Sequence, residues 1–337
     1  MFKKAHRIAK RIVRQRKVPG MAISVSYQGD MVWQAGLGFA DLNTRTPVHP
    51  AKTVFRIASV SKPLAATALA KMVEEGLVKL DASVYDYLPE YPPKPYDFTL
   101  RQLGGHLAGI RSYRGNEFFS NQPLSIREGV ALFENDSLLF EPGTSYQYNT
   151  YDWVLLSLII QKVANIPFEE YVYTKVLEPL GMRSTFFKED RTQIPEMAVF
   201  YSRKGIRRFK EAPPVNNFFK LAGGGFLSTS EDICRLGNAY LTEGFLSKST
   251  AAQFLTSQKI QDKLTYYGIG WEVSYDHRNR PYRGHTGSGV GGYAIFRIYP
   301  EQQIVFSMLT NMSNPRMDKK IRRLLDAVIN AIDPEKK

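Results

Sequence analysis

Ser59-Val60-Ser61-Lys62 is the only Ser-x-x-Lys in the chain. On a helix, positions i and i+3 share a face, so this spacing brings a hydroxyl within reach of an amine. The N-terminal end of a helix is electropositive, which favours a developing alkoxide and disfavours a second positive charge. A desolvated lysine placed there is partly neutral and can act as a base, which a solvated lysine cannot. The chemistry this suggests is nucleophilic attack by Ser59. The spacing alone also fits a helix cap followed by a surface lysine.

Two distant stretches add to it. Pro142-Gly143-Thr144-Ser145-Tyr146-Gln147-Tyr148-Asn149-Thr150 is a turn-rich approach to an apolar helix. Gly284-His285-Thr286-Gly287-Ser288-Gly289 stands just ahead of paired strands near the C-terminus. In this order the three motifs resemble the signature of the serine β-lactamase-like and penicillin-binding hydrolases, specifically their class C branch; the related class A set has the same logic. The resemblance covers nearly the whole chain. It includes Phe55–Lys62, Leu100-Arg101-Gln102-Leu103, His106-Leu107-Ala108-Gly109-Ile110, Glu178-Pro179-Leu180-Gly181-Met182 and Gly223–Thr229.

Carried over position by position, the resemblance makes Ser59 the nucleophile, Lys62 its activator and Tyr148 the proton carrier. It places the oxyanion hole at the backbone N–H groups of Ser59 and Ser288, where one such donor is worth about 3 kcal/mol. It assigns Thr150, His285, Thr286 and Gly287 to substrate binding. Two positions depart from the commonest lactamase pattern. Thr150 stands where an asparagine is usual, so a two-donor amide becomes a hydroxyl. His285 stands where lysine is common, so a permanent charge becomes a titrating one. Thr150 and the phrase His106–Arg111 are similar to the mitochondrial lactamase-like serine proteins of the family. The implied activity is hydrolysis through an acyl-enzyme, on D-amino-acid peptides, esters or β-lactams, with no cofactor. The competing expectation is a binding or assembly protein that keeps the fold without useful turnover.

The elements that must position these residues follow from local patterning. Residues 21–28 read as a strand, with Gly29-Asp30 as a turn and 31–39 as its hairpin partner. From Ser59, Leu64, Ala68, Leu69 and Met72 recur at helical spacing, and Gly76 suits the helix end. Pro63 falls in the first turn, where its missing N–H has no helical partner. Residues 80–215 read as largely helical, including an apolar helix from Tyr151 through Val163. Strand patterning returns at 225–228, and a helix follows with Ser230 as cap. Strands at 292–299 and 303–310 precede an amphipathic helix at 315–332. Strands at both ends with helices between predict an α/β fold of the α+β kind. An antiparallel sheet from both chain ends is flanked by helices, and a mainly helical subdomain is inserted. One domain, 1–337, is expected, its α/β part being 1–80 plus 216–337 and its helical insertion 81–215.

Composition narrows the alternatives. At 337 residues with 43% hydrophobic and 23% charged, the chain can bury a large core, which excludes intrinsic disorder. No run of 18 apolar residues occurs, so no helical membrane span is expected. One cysteine, Cys234, excludes an internal disulfide, and its apolar helix face suits a small core residue. His6, His49, His106, His277 and His285 show no metal-ligand spacing, and His106 reads as a structural histidine. Residues 287–292 fit G-x-G-x-x-G, but that motif must open a helix, whereas 293–298 reads as a strand.

The net charge is +13, and residues 1–17 hold eight basic residues and no acid. Ala5, Ile8, Ala9, Ile12 and Val13 share one face there, as a first helix packing on the domain would require. Contact with an anionic membrane or nucleic acid is a second use of such a segment, and the remnant of a transit peptide a third, although such peptides are usually Ser-rich and this one has no Ser. The rest is too weakly basic for a dedicated nucleic-acid binder, so the expected partner is a small-molecule or peptide substrate. The basic stretch Arg203–Arg208 reads as a solvated loop. No hydrophobic leader core precedes it all, so a periplasmic or extracellular location would need a leader removed ahead of Met1.

Overall fold

In the computed structural model, which describes residues 1–205 and 208–333, the two ends of the chain meet in one antiparallel sheet. The N-terminal strands are β1 (Gly20–Tyr27), β2 (Asp30–Asp41) and the short β3 (Thr46–Pro47). The C-terminal ones are β4 (Glu272–Tyr275), β5 (Pro281–Gly289), β6 (Gly292–Tyr299) and β7 (Ile304–Thr310). Their order is β4-β5-β6-β7-β1-β2-β3, with Met21 opposite Thr310 and Tyr27 opposite Ile304 at the central seam. All of β7 is buried, as a strand covered on both faces must be.

Helices α1 (Lys3–Arg14) and α5 (Asp318–Ile332) cover one face. Ala5, Ala9 and Ile12 join Leu324 and Val328 in a cluster with Ile23, Val25 and Phe306. The opposite face carries the larger core, built on α2 (Ser61–Glu74), α3 (Tyr151–Ala164) and α4 (Ser230–Asn238). The apolar stripe of α1 is therefore spent inside the fold, and its basic residues face outward. Ile12, fully buried, gives the check. Ile12→Ala is expected to cost about 2–4 kcal/mol, read as a lower urea midpoint. An unchanged midpoint would mean that α1 is not docked.

Three local expectations need correcting. The α-helix begins at Ser61, because residues 58–60 form a tighter 3₁₀ turn that carries Ser59. The cap of α4 is Thr229, whose hydroxyl accepts the Asp232 N–H, while Ser230 bonds instead to Ser24 and the Pro50 carbonyl. The segment 80–215 also holds a hairpin, Tyr201–Lys204 with Arg208–Glu211. Of its eight paired residues only Tyr201 is buried, and Arg203, Lys204, Arg208, Lys210 and Glu211 make it look like a polar loop in sequence. Ile206 and Arg207 of that basic stretch lie outside the described residues. Residues 287–292 form the strand-turn-strand junction of β5 and β6, with no helix after them. Among the described residues no helix is long and apolar enough to cross a membrane.

Candidate active site

The turn that presents Ser59 is held from both sides. Phe55-Arg56 pairs with Leu227-Ser228, and the Ile57 N–H donates to the Phe226 carbonyl at 3.3 Å. Ala58 then adopts a left-handed φ of +48°, a conformation that costs a non-glycine residue roughly 1 kcal/mol or more. It throws Ser59 up at the mouth of α2, half-exposed. Arg56 locks the base of this turn. Its guanidinium takes Glu189 through two contacts of 2.6 Å and the Val290 carbonyl at 2.7 Å, tying the turn to the β5–β6 junction.

Residues 61–70 of α2 are all buried, and the Lys62 side chain is out of direct contact with solvent. Its ammonium donates to the Gly223 carbonyl and the Tyr148 hydroxyl, each at 2.8 Å, and lies 3.3 Å from Ser59 Oγ. Burial depresses its pKa to about 7, against a smaller opposing pull from the Asp152 charge. Near neutral pH a large fraction of Lys62 is therefore a free amine.

Tyr148 closes the triangle, its hydroxyl donating to Ser59 Oγ at 2.8 Å. Burial raises its phenol far above the ordinary range, so it stays protonated and can relay a proton. The ring rests on His106 at 4.6 Å between centroids. His106 is pinned in turn, Nδ1 lying 2.6 Å from Asp152 Oδ2 with neither side chain exposed. Burial pushes the imidazole down and the carboxyl up, disfavouring the charged form of each. Asn149 donates to the same carboxyl oxygen at 2.8 Å. His106 is thus the shelf under Tyr148.

The other wall is β5. Strand β4 pairs with it only as far as Gly284, so the edge beyond is open. Across that edge the Thr286 N–H donates to the Glu272 carboxylate at 2.8 Å. Ser288, two residues on, points its N–H the same way. The Ser59 N–H belongs to a first helical turn, whose donors lack intrahelical acceptors. Ser59 and Ser288 line one narrow cleft of about 40 Å³, together with Thr150.

Ser59, Lys62, Tyr148, Thr150 and Ser288 are thus brought together, and three other expected site residues are placed differently. His285 is buried; its Nδ1 donates to the Thr286 carbonyl at 2.8 Å and its Nε2 accepts from the Tyr267 hydroxyl at 2.9 Å. Thr286 lies on the opposite strand face, accepting from Arg297 at 3.2 Å in a separate depression of about 280 Å³. A Cβ on Gly287 would stand 2.1 Å from the Ile57 carbonyl, so this glycine lets β5 close onto the nucleophile turn. Alternation along the strand is the reason: one register sends neighbouring side chains to opposite faces. These three therefore support the site and do not line the cleft at Ser59. Gly287→Ala is expected to lower the rate of Ser59 acylation about 100-fold by displacing Ser288; an unchanged labelling rate would show that the contact is slack.

Sequence reasoning missed Arg56, Asp152 and Lys220. Arg56 stood inside a quoted motif, but its partner Glu189 is 133 residues away. Lys220 was the one charge in the run Phe218-Phe219-Lys220-Leu221-Ala222, and that was its signal.

Known proteins share this chain's sequence pattern and fold. The Beta-lactamase family model matches residues 5–331. The mitochondrial serine beta-lactamase-like protein LACTB of Homo sapiens is 30% identical, the alignment covering 87% of this chain and 71% of that protein. Penicillin-binding protein 4* of Bacillus subtilis is 25% identical over 79% of this chain and 61% of its own length. Among solved structures, the octameric penicillin-binding protein homologue from Pyrococcus abyssi superposes with a TM-score of 0.84 at 28% identity, covering 98% of this chain and 78% of that one. The D-amino acid amidase from Ochrobactrum anthropi SV3 shares the fold, with a TM-score of 0.88 at 20% identity over 98% and 99% of the two chains. Sequence and fold alike make the chain a member of the beta-lactamase family of serine hydrolases.

Proposed function

We propose that the protein hydrolyses amide or ester bonds through an acyl-enzyme on Ser59. The observation that carries this reading is the Ser59–Lys62–Tyr148 triangle, with contacts of 2.8, 2.8 and 3.3 Å around a lysine that burial leaves partly as the free amine near neutral pH. With Lys62 neutral, Ser59 passes its proton to the Tyr148 oxygen as Tyr148 passes its own to Lys62. Ser59 Oγ attacks the carbonyl carbon, and the N–H groups of Ser59 and Ser288 receive the oxyanion. Collapse expels the amine or alcohol, which takes a proton from Tyr148 as Lys62 returns to Tyr148 the one it received. Water then enters by the same relay and releases the acid, regenerating Ser59.

Candidate substrates are D-amino-acid peptides, small esters and β-lactams, in that order. The fold shared with a D-amino acid amidase supports the first. The hydroxyl of Thr150 and the tied-up His285 count against efficient β-lactam turnover. A fluorophosphonate probe is expected to label wild type and not Ser59→Ala. A panel of p-nitrophenyl esters, D-alanyl peptides and nitrocefin then ranks substrates by kcat/KM. Absence of any acylation would overturn the reading in favour of a binding protein.

A further inference from the structure

A second buried lysine lines the cleft, and the mechanism makes no use of it. Lys220 is 4% exposed. Its ammonium donates to the Phe118 carbonyl at 2.9 Å and lies 5.2 to 5.4 Å from the ring centroids of Tyr113, Phe118 and Phe219. A carbonyl dipole and aromatic faces attract a cation but do not neutralise it. Buried charges are ordinarily paired, yet among the described residues no carboxylate reaches this one. The other cations of the cleft are accounted for. Arg56 is spent on Glu189, and Lys62 belongs to the proton relay. Burial and the nearby Arg56 charge lower Lys220 to about 8, so it remains mainly cationic at neutral pH.

The ammonium cannot easily swing away to find a counterion. Phe118 sits in the turn Glu117–Phe119, and Glu117 is clamped by Arg111 at 2.7 and 3.0 Å and by the Tyr151 hydroxyl at 2.8 Å. The position of Lys220 relative to the chemistry is also set. It stands three residues before Gly223, whose carbonyl holds Lys62, so both lysines are tied to one short segment beside Ser59. Tyr148, which must protonate the leaving group, meets Ser59 Oγ from beside Lys62, whereas Lys220 lines the cleft onto which Ser59 and Ser288 open. The leaving group therefore departs on the Tyr148 side, and the cleft with Lys220 receives the acyl portion.

We propose that Lys220 is a specificity residue that binds an anionic substituent on the acyl group, so that the preferred substrates are esters or amides of short acids ending in a carboxylate. This inference rests on the acyl-transfer reading above.

The test compares 4-nitrophenyl hydrogen glutarate with its neutral methyl ester, on wild type and on Lys220→Met. Wild type is expected to favour the acid at least tenfold in kcat/KM. Lys220→Met is expected to lose at least thirtyfold on the acid, mostly in KM, and to keep the neutral ester within threefold. Equal losses on both esters, or no preference in wild type, would overturn the proposal. Calorimetry with glutarate alone needs no turnover. Binding by wild type that weakens at least tenfold in Lys220→Met supports the subsite; no binding by wild type overturns it. If glutarate binds at Lys220 but neither ester is cleaved, the acyl-transfer reading falls and the anion site stands.

Discussion

Lys62→Met is expected to lower kcat/KM for any acylating substrate by about 10³- to 10⁴-fold, the scale of a lost general base. The loss should be this large because no neighbour can replace the amine. The Tyr148 phenol is held protonated by burial, so it relays but cannot originate the transfer. His285 has both ring nitrogens engaged, and burial lowers it to about 4. His106 is locked to Asp152. The wild-type pH profile should rise through an apparent pKa near 7, because Lys62 must lose its proton before it can take one. In Lys62→Met that limb should vanish. The sign for folding is the same. The unfolded chain binds a proton on Lys62 up to its ordinary pKa near 10.5, whereas the folded chain releases it near 7, so this group makes stability rise with pH across that window. Removing a buried amine also removes its desolvation cost, so Lys62→Met should remain folded at pH 7 by urea titration. A Lys62→Met enzyme that retains a tenth of the wild-type rate would mean that the base lies elsewhere.

Asp152→Ala is expected to destabilise the fold by about 3–5 kcal/mol, the scale for removing one member of a buried pair. Asp152 is fully buried, and among the described residues it is the one hydrogen-bond partner of the His106 ring, whose Nε2 has none. Truncation leaves that imidazole and the Asn149 amide facing a cavity in the dry interior. His106 carries the Tyr148 ring, so activity should fall in the variant even at temperatures where it stays folded. Asp152→Asn, which keeps the shape, should recover part of the stability. A urea midpoint for Asp152→Ala within 1 kcal/mol of wild type would show that Tyr148 is held by other contacts.

How much of this was legible in the sequence follows from the range of the forces involved. The β1–β2 hairpin, the apolar helix after Tyr151 and the two C-terminal strands could be read directly, since their period and turn residues are local. Ser59, Lys62 and Tyr148 could be named because a spacing and two motifs mark them. The strand face of Thr286 could not be read, because one residue of register decides it and the register of β5 is set by β6. Nor could the uncompensated charge of Lys220 or the Arg56–Glu189 clamp. Whether a cation is paired depends on residues brought together from more than 100 positions apart. The hairpin of Tyr201–Lys204 with Arg208–Glu211 was missed for a different reason: its pairing is local, but nothing in its polar pattern distinguishes it from a loop.

The most direct test is rapid-quench mass spectrometry of wild type mixed with 4-nitrophenyl acetate, followed by peptide mapping. One acetyl group should appear on the peptide carrying Ser59 within the burst of nitrophenol release and then decay as acetate forms. An adduct on any other residue, or turnover with no adduct on Ser59, would contradict the account.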